Sequence, residues 1–118
     1  MTVLMLGRHL ELGHYRAEFL KSHGFRVIFP ESKNEALATI REGAFDAVII
    51  SYTLSKKSAQ EFVALIEQVN PDCSLVAIVQ RPEEHASFPR AETVLHVAPP
   101  KALLDALIRI EKRRLQSE

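Results

Sequence analysis

Asp46-Ala47-Val48-Ile49-Ile50-Ser51 decides the fold. Four consecutive apolar residues, two of them isoleucine, sit between an acidic residue and a hydroxyl. A strand with one wet face alternates apolar and polar residues, whereas an unbroken run of this length fits a strand covered on both faces. Similar runs occur at Val3-Leu4-Met5-Leu6, Val27-Ile28-Phe29, Leu75-Val76-Ala77-Ile78-Val79 and Val94-Leu95-His96-Val97. Between them lie stretches of helical period: Leu12, Tyr15, Phe19 and Leu20; Ala36, Leu37, Ile40 and Ala44; Phe62, Val63, Ile66 and Val69; Leu103, Leu104, Leu107 and Ile108.

The punctuation agrees with that alternation. Ser32 with Glu35, and Ser58 with Glu61, match the capping box that opens a helix. Gly24 and Gly43 stand where helices should stop. Asn70-Pro71 closes the third helix, and Pro99-Pro100 starts the last. Arg81–Glu92 holds two prolines and few apolar anchors, so a short or irregular fourth helix is expected there. The reading is a single α/β domain over residues 1–118: a three-layer (βα)₅ doubly wound parallel sheet of strand order 2-1-3-4-5.

Composition narrows the function. Fifteen basic and fifteen acidic residues cancel, which removes any global attraction to nucleic acid or anionic lipid. No apolar run approaches a membrane span of ~20 residues. The N-terminus has no basic segment or cleavage signature, and the one cysteine, Cys73, cannot form an internal disulfide; both point to a reducing cytoplasm. The five histidines have no metal-site spacing, so no metal or other cofactor is expected. Gly7–Gly13 lacks the GxGxxG spacing of a dinucleotide site.

In such a sheet the functional crevice lies beyond the carboxyl ends of the strands, where strand order reverses. That places Gly7, Arg8 and His9 opposite Ser51 and Tyr52, flanked by Val79, Gln80 and Arg81. Length, element order and the Pro-plus-Leu-Leu opening of the last helix resemble the receiver domain of two-component response regulators, a flavodoxin-like, CheY-like fold. The resemblance implies an acidic pair after strand one that binds Mg²⁺ and an Asp ending strand three that accepts phosphoryl. It also implies a hydroxyl ending strand four and a Lys ending strand five. Here those positions fall on Gly7 and Arg8, on Ser51, on Val79, and on His96, Val97 or Ala98. Every reacting residue is replaced. An atypical receiver, or pseudo-receiver, is therefore expected, without catalytic residues and with no phosphorylation at Ser51.

Three functions follow in order. The first is a phosphorylation-independent protein-interaction module of bacterial signalling. It would bind a protein partner or a second copy through the fourth helix, fifth strand and fifth helix, with Leu104, Ile108, Ile110 and Leu115 as the candidate apolar patch. The second is a sensor holding an anionic small ligand near Arg8 and Ser51, against the simpler reading of Arg8 as a plug paired with Glu11 or a carbonyl. The third is a hydrolase using Ser51 with His9, which lacks an orienting carboxylate. The cations Arg109, Lys112, Arg113 and Arg114 are accounted for by the dipole at the end of the last helix.

Overall fold

A computed structural model describes residues 1–116; the last two residues of the expected domain lie outside them. Strands β1 (Thr2–Leu6), β2 (Arg26–Ile28), β3 (Ala47–Ile50), β4 (Ser74–Val79) and β5 (Glu92–Leu95) form one parallel sheet in the order β2-β1-β3-β4-β5. Helices α1 (Leu10–Lys21), α2 (Lys33–Glu42), α3 (Lys56–Val69) and α4 (Pro100–Gln116) connect or follow them. The fourth helical segment is a 3₁₀ helix at Pro82–Ser87, as its prolines and scarce apolar anchors led one to expect.

Side chains of a strand alternate between faces, and the core divides accordingly. From β1, Val3 and Met5 join Ile49, Val76 and Ile78 under α1 and α4. Leu4 and Leu6 join Val48, Ile50 and Leu75 under α2 and α3. Each such aliphatic side chain contributes about 1.5–3 kcal/mol when fully buried. Hence β1, β3 and β4 need apolar residues at successive positions. The edge strand β5 is only half-buried, and it begins two residues before the expected Val94–Val97 run. Its last rung is His96 N–H donating to the Val79 carbonyl, after which His96 and Val97 turn toward Pro99.

Local signals explain most helix ends. Ser32 Oγ accepts from Glu35 N–H at 3.1 Å, and the Glu35 carboxylate accepts from Glu31 N–H at 3.0 Å. Gly43 ends α2 with φ 68°, a left-handed conformation that glycine adopts without strain. The third helix starts a turn earlier than the Ser58–Glu61 pair suggested: Ser55 is its cap, accepting from Ser58 N–H at 3.1 Å. Ala44 lies beyond α2 and is exposed, and Phe45 is buried in its place.

The buried face of α1 also differs from the aromatic stripe. Tyr15 is 60% exposed, whereas Gly13, Ala17 and Leu20 face inward. Gly13 lies against Phe29, and a Cβ there would fall inside the Phe29 ring. The small residues let α1 approach closely, so its inward face is not its most hydrophobic one.

At the opposite end of the sheet, where the strands start, Asp46 accepts from Thr2 N–H at 2.8 Å and pairs with Arg114 at 3.1 Å. Arg109 donates to Glu92 at 3.1 Å, so these cations pin α4 to the strand starts in addition to answering its dipole. Gly13→Ala is expected to lose about 1–2 kcal/mol in urea unfolding, despite roughly 1 kcal/mol gained in helix propensity. The loss should shrink when Phe29 is also trimmed to leucine, because the two sites share one space.

Candidate functional site

The crevice begins with the pairing of β1 and β3. Their register runs from Val3↔Ala47 to Leu6↔Ile50 and continues as Ser51 N–H donating to the Leu6 carbonyl. This places Gly7 against Ser51: a Cβ on Gly7 would lie 3.2 Å from Ser51 Cβ and 3.3 Å from Thr53 Oγ1. A side chain at Gly7 would crowd the Ser51 and Thr53 side chains, which would have to give by a few tenths of an ångström.

Ser51 is 8% exposed, and its hydroxyl oxygen is crowded with donors. It accepts from Thr53 N–H at 3.2 Å, from Thr53 Oγ1–H at 3.0 Å and from the Arg16 guanidinium at 3.5 Å. Thr53 Oγ1 in turn accepts from Arg8 N–H at 2.8 Å. The Arg16 guanidinium lies 5.9 Å from the centre of the Tyr52 ring, a cation–π distance. Tyr52 packs at 5.0 Å against His96, whose buried Nδ1 has no hydrogen-bond partner among the described residues. Burial pulls the Arg16 pKa down, and interaction with Tyr52 opposes that shift.

The residues expected at the site are thus divided. Gly7 and Ser51 meet as the topology required. Arg8 and His9 are exposed, and the Arg8 side chain pairs neither with Glu11 nor with a carbonyl. The guanidinium inside the crevice belongs to Arg16, and Arg8 lines a neighbouring cavity that Ser51 does not reach. Ser51 and His9 share only a cavity of about 10 Å³, and no hydrogen bond joins them. That volume leaves no room for a substrate.

Val79 is buried, Ala98 half-buried, and Val97 exposed in the turn. In the expected apolar patch, Leu104 and Ile110 are core residues, Ile110 only 1% exposed, and Ile108 is half-buried. Leu115, at 66%, is the one of the four that is open. Helix α4 turns a wider apolar face to the sheet and α1 than two heptad positions per turn would supply.

Arg16 and Thr53 were missed. Arg16 carried a signal: it lies three residues after Gly13 and four before Leu20, on the close-packed face of α1. Thr53 carried none, because its role depends on the path of the loop after β3.

Mg²⁺ requires several hard, mostly anionic oxygens in octahedral array. The crevice offers the side-chain-free Gly7, a hydroxyl oxygen already accepting from three donors, and the fixed positive charge of Arg16. No group of three His, Cys, Asp or Glu side chains suited to a metal occurs among the described residues. The donor set does not fit the ion.

No protein-family model matches the chain, and no curated protein sequence matches it. Solved structures do. A response regulator receiver domain from Clostridium thermocellum superposes with TM-score 0.84 at 17% identity, over 99% of this chain and 98% of that one. The response regulator TrrA of Thermotoga maritima, solved with Mg²⁺ and beryllofluoride, gives TM-score 0.79 at 19% identity, over 92% and 97%. A structure from a family of streptococcal redox sensors evolved from response regulators gives TM-score 0.79 at 18% identity, over 96% of this chain and 52% of that one. The chain has the receiver fold of two-component response regulators.

Removing the crevice guanidinium tests the network. Arg16→Ala should cost about 1 kcal/mol in urea unfolding, through the lost ring contact and the lost bond to Ser51. Arg16→Met, which keeps the apolar stem, should lose less than Arg16→Ala.

Proposed function

We propose that this chain is a pseudo-receiver: a receiver-fold module that neither accepts phosphoryl nor binds Mg²⁺, is not an enzyme, and works by contact with a protein partner in two-component-type signalling. One observation carries the reading. The oxygen at the acceptor position is a hydroxyl that accepts from Thr53 and Arg16, where phosphoryl capture needs an unencumbered carboxylate. A phosphoryl donor brought to Ser51 would meet a neutral hydroxyl that already accepts from Thr53 and Arg16, with no cluster of carboxylates among the described residues to hold a divalent ion beside it.

The rest of the fold supports a contact role. Leu95 and Val97 are exposed at the turn between β5 and α4, within the expected partner face of 3₁₀ segment, β5 and α4. Two triggers of the resembled family are missing together, the acceptor and an aromatic in β5, so partner concentration would control the output. A structural neighbour described as a redox sensor derived from response regulators is a precedent for the fold serving other ends. No helix among the described residues is long and apolar enough to cross a membrane.

The test is a ¹H–¹⁵N correlation spectrum with beryllofluoride and Mg²⁺, alongside mass spectrometry after incubation with acetyl phosphate. Unshifted Gly7, Ser51 and Thr53 amides and an unchanged mass are expected. A beryllofluoride response centred on Ser51, or a phosphorylated product, would refute the proposal.

A further inference from the structure

A cavity lies beside the crevice and not in it. It encloses about 440 Å³ between the loop after β1, the first turn of α2 and the first turn of α3. That is within the range of small-molecule sites. Its floor is apolar and buried, made by Leu6, Pro30, Ala36 and Phe62.

The formal charges at its rim, Arg8 and Lys33 against Glu31 and Glu61, cancel in number but are not matched pair by pair. Lys33 Nζ is held by Glu61 at 3.1 Å, and the Glu31 carboxylate is turned to His14 at 2.9 Å. Among the described residues the Arg8 guanidinium has neither a hydrogen bond nor an ion pair, and only its backbone N–H is engaged. Ser55 Oγ, on the same rim, accepts from Ser58 N–H and keeps its own proton to donate. A free guanidinium and a hydroxyl donor therefore overhang an apolar floor.

We infer that this cavity binds a small amphipathic anion, a compact apolar body such as one aromatic ring bearing a single carboxylate or phosphate. The floor selects the body, because only apolar surface gains by covering Leu6, Ala36 and Phe62. Arg8 selects the head, because a guanidinium fork matches both carboxylate and phosphate oxygens. Inorganic phosphate leaves the floor wet, and a neutral ring leaves Arg8 unpaired. Ser51 does not line the cavity, so the inference stands apart from the proposed loss of phosphoryl transfer.

The experiment is an amide-shift titration of the full chain with phenyl phosphate, phenylacetate, sodium phosphate and benzyl alcohol. Saturable shifts at Ala36, Leu54, Ser55 and Phe62 are expected with one or both aromatic anions, and the tighter of the two identifies the head group. Sodium phosphate and benzyl alcohol should bind roughly tenfold or more weakly. Arg8→Ala, at an exposed position that leaves the fold intact, should weaken the aromatic anion roughly three- to tenfold. Ser58→Trp should abolish the response by filling the cavity mouth. No saturation with either aromatic anion, equal affinity for benzyl alcohol or inorganic phosphate, or an unchanged Arg8→Ala would overturn the inference.

Discussion

The register of β1 on β3 sets the distance between Gly7 and Ser51, and the site follows from that distance. Because Leu6 pairs with Ile50, the two chains leave the sheet side by side and Ser51 N–H still bonds the Leu6 carbonyl. The loops then run so close that a Cβ at position 7 would crowd the Ser51 and Thr53 side chains. Slipping the register by one residue would turn both apolar faces of β3 over, so burial on each side locks it. The same burial that stabilises the central strands therefore fixes the crevice.

Charge in that crevice is supplied from α1. Gly13 and Ala17 let the helix sit close to the sheet, and the close approach carries Arg16 within reach of Ser51 and Tyr52. A guanidinium stays protonated even when burial lowers its pKa, so the positive charge is permanent. A divalent cation entering the crevice would meet that charge with no carboxylate to screen it. Arg8 is left to the next cavity, whose rim it shares with Glu31 and Lys33. Two arginines eight residues apart thus serve separate spaces, one closed and one open.

The fold was readable because β1, β3 and β4 need apolar residues on both faces and the helices between them carry Ser caps and Gly stops. Strand order followed from the alternation and the resemblance. The position of Ser51 at the end of β3 was readable for the same reason. Less was visible where packing departs from hydrophobicity. Tyr15 drew attention to the exposed side of α1, because the close-packed face made of Gly13 and Ala17 is poor in apolar surface, whereas Phe19 does pack at the edge of the core. Ile110 seemed surplus because a helix of this length was credited with one narrow buried stripe. Arg8 was given the place of Arg16 because chain proximity to β1 is visible in a sequence and the reach of a helical side chain is not. Thr53 lies in a loop, where no periodicity announces which way a hydroxyl turns.

The proposed reading rests on one contrast: at the position where the resembled family carries an acceptor carboxylate, this chain has a hydroxyl crowded by hydrogen-bond donors and flanked by a fixed cation. Paramagnetic Mn²⁺, which takes the same oxygen ligands as Mg²⁺, reports on this directly through relaxation of nearby amides. Titrated into the ¹⁵N-labelled full chain, Mn²⁺ should leave the Gly7, Ser51 and Thr53 amides no more broadened than those of the remote α4 surface. Selective broadening of those three amides at sub-stoichiometric Mn²⁺ would contradict the account.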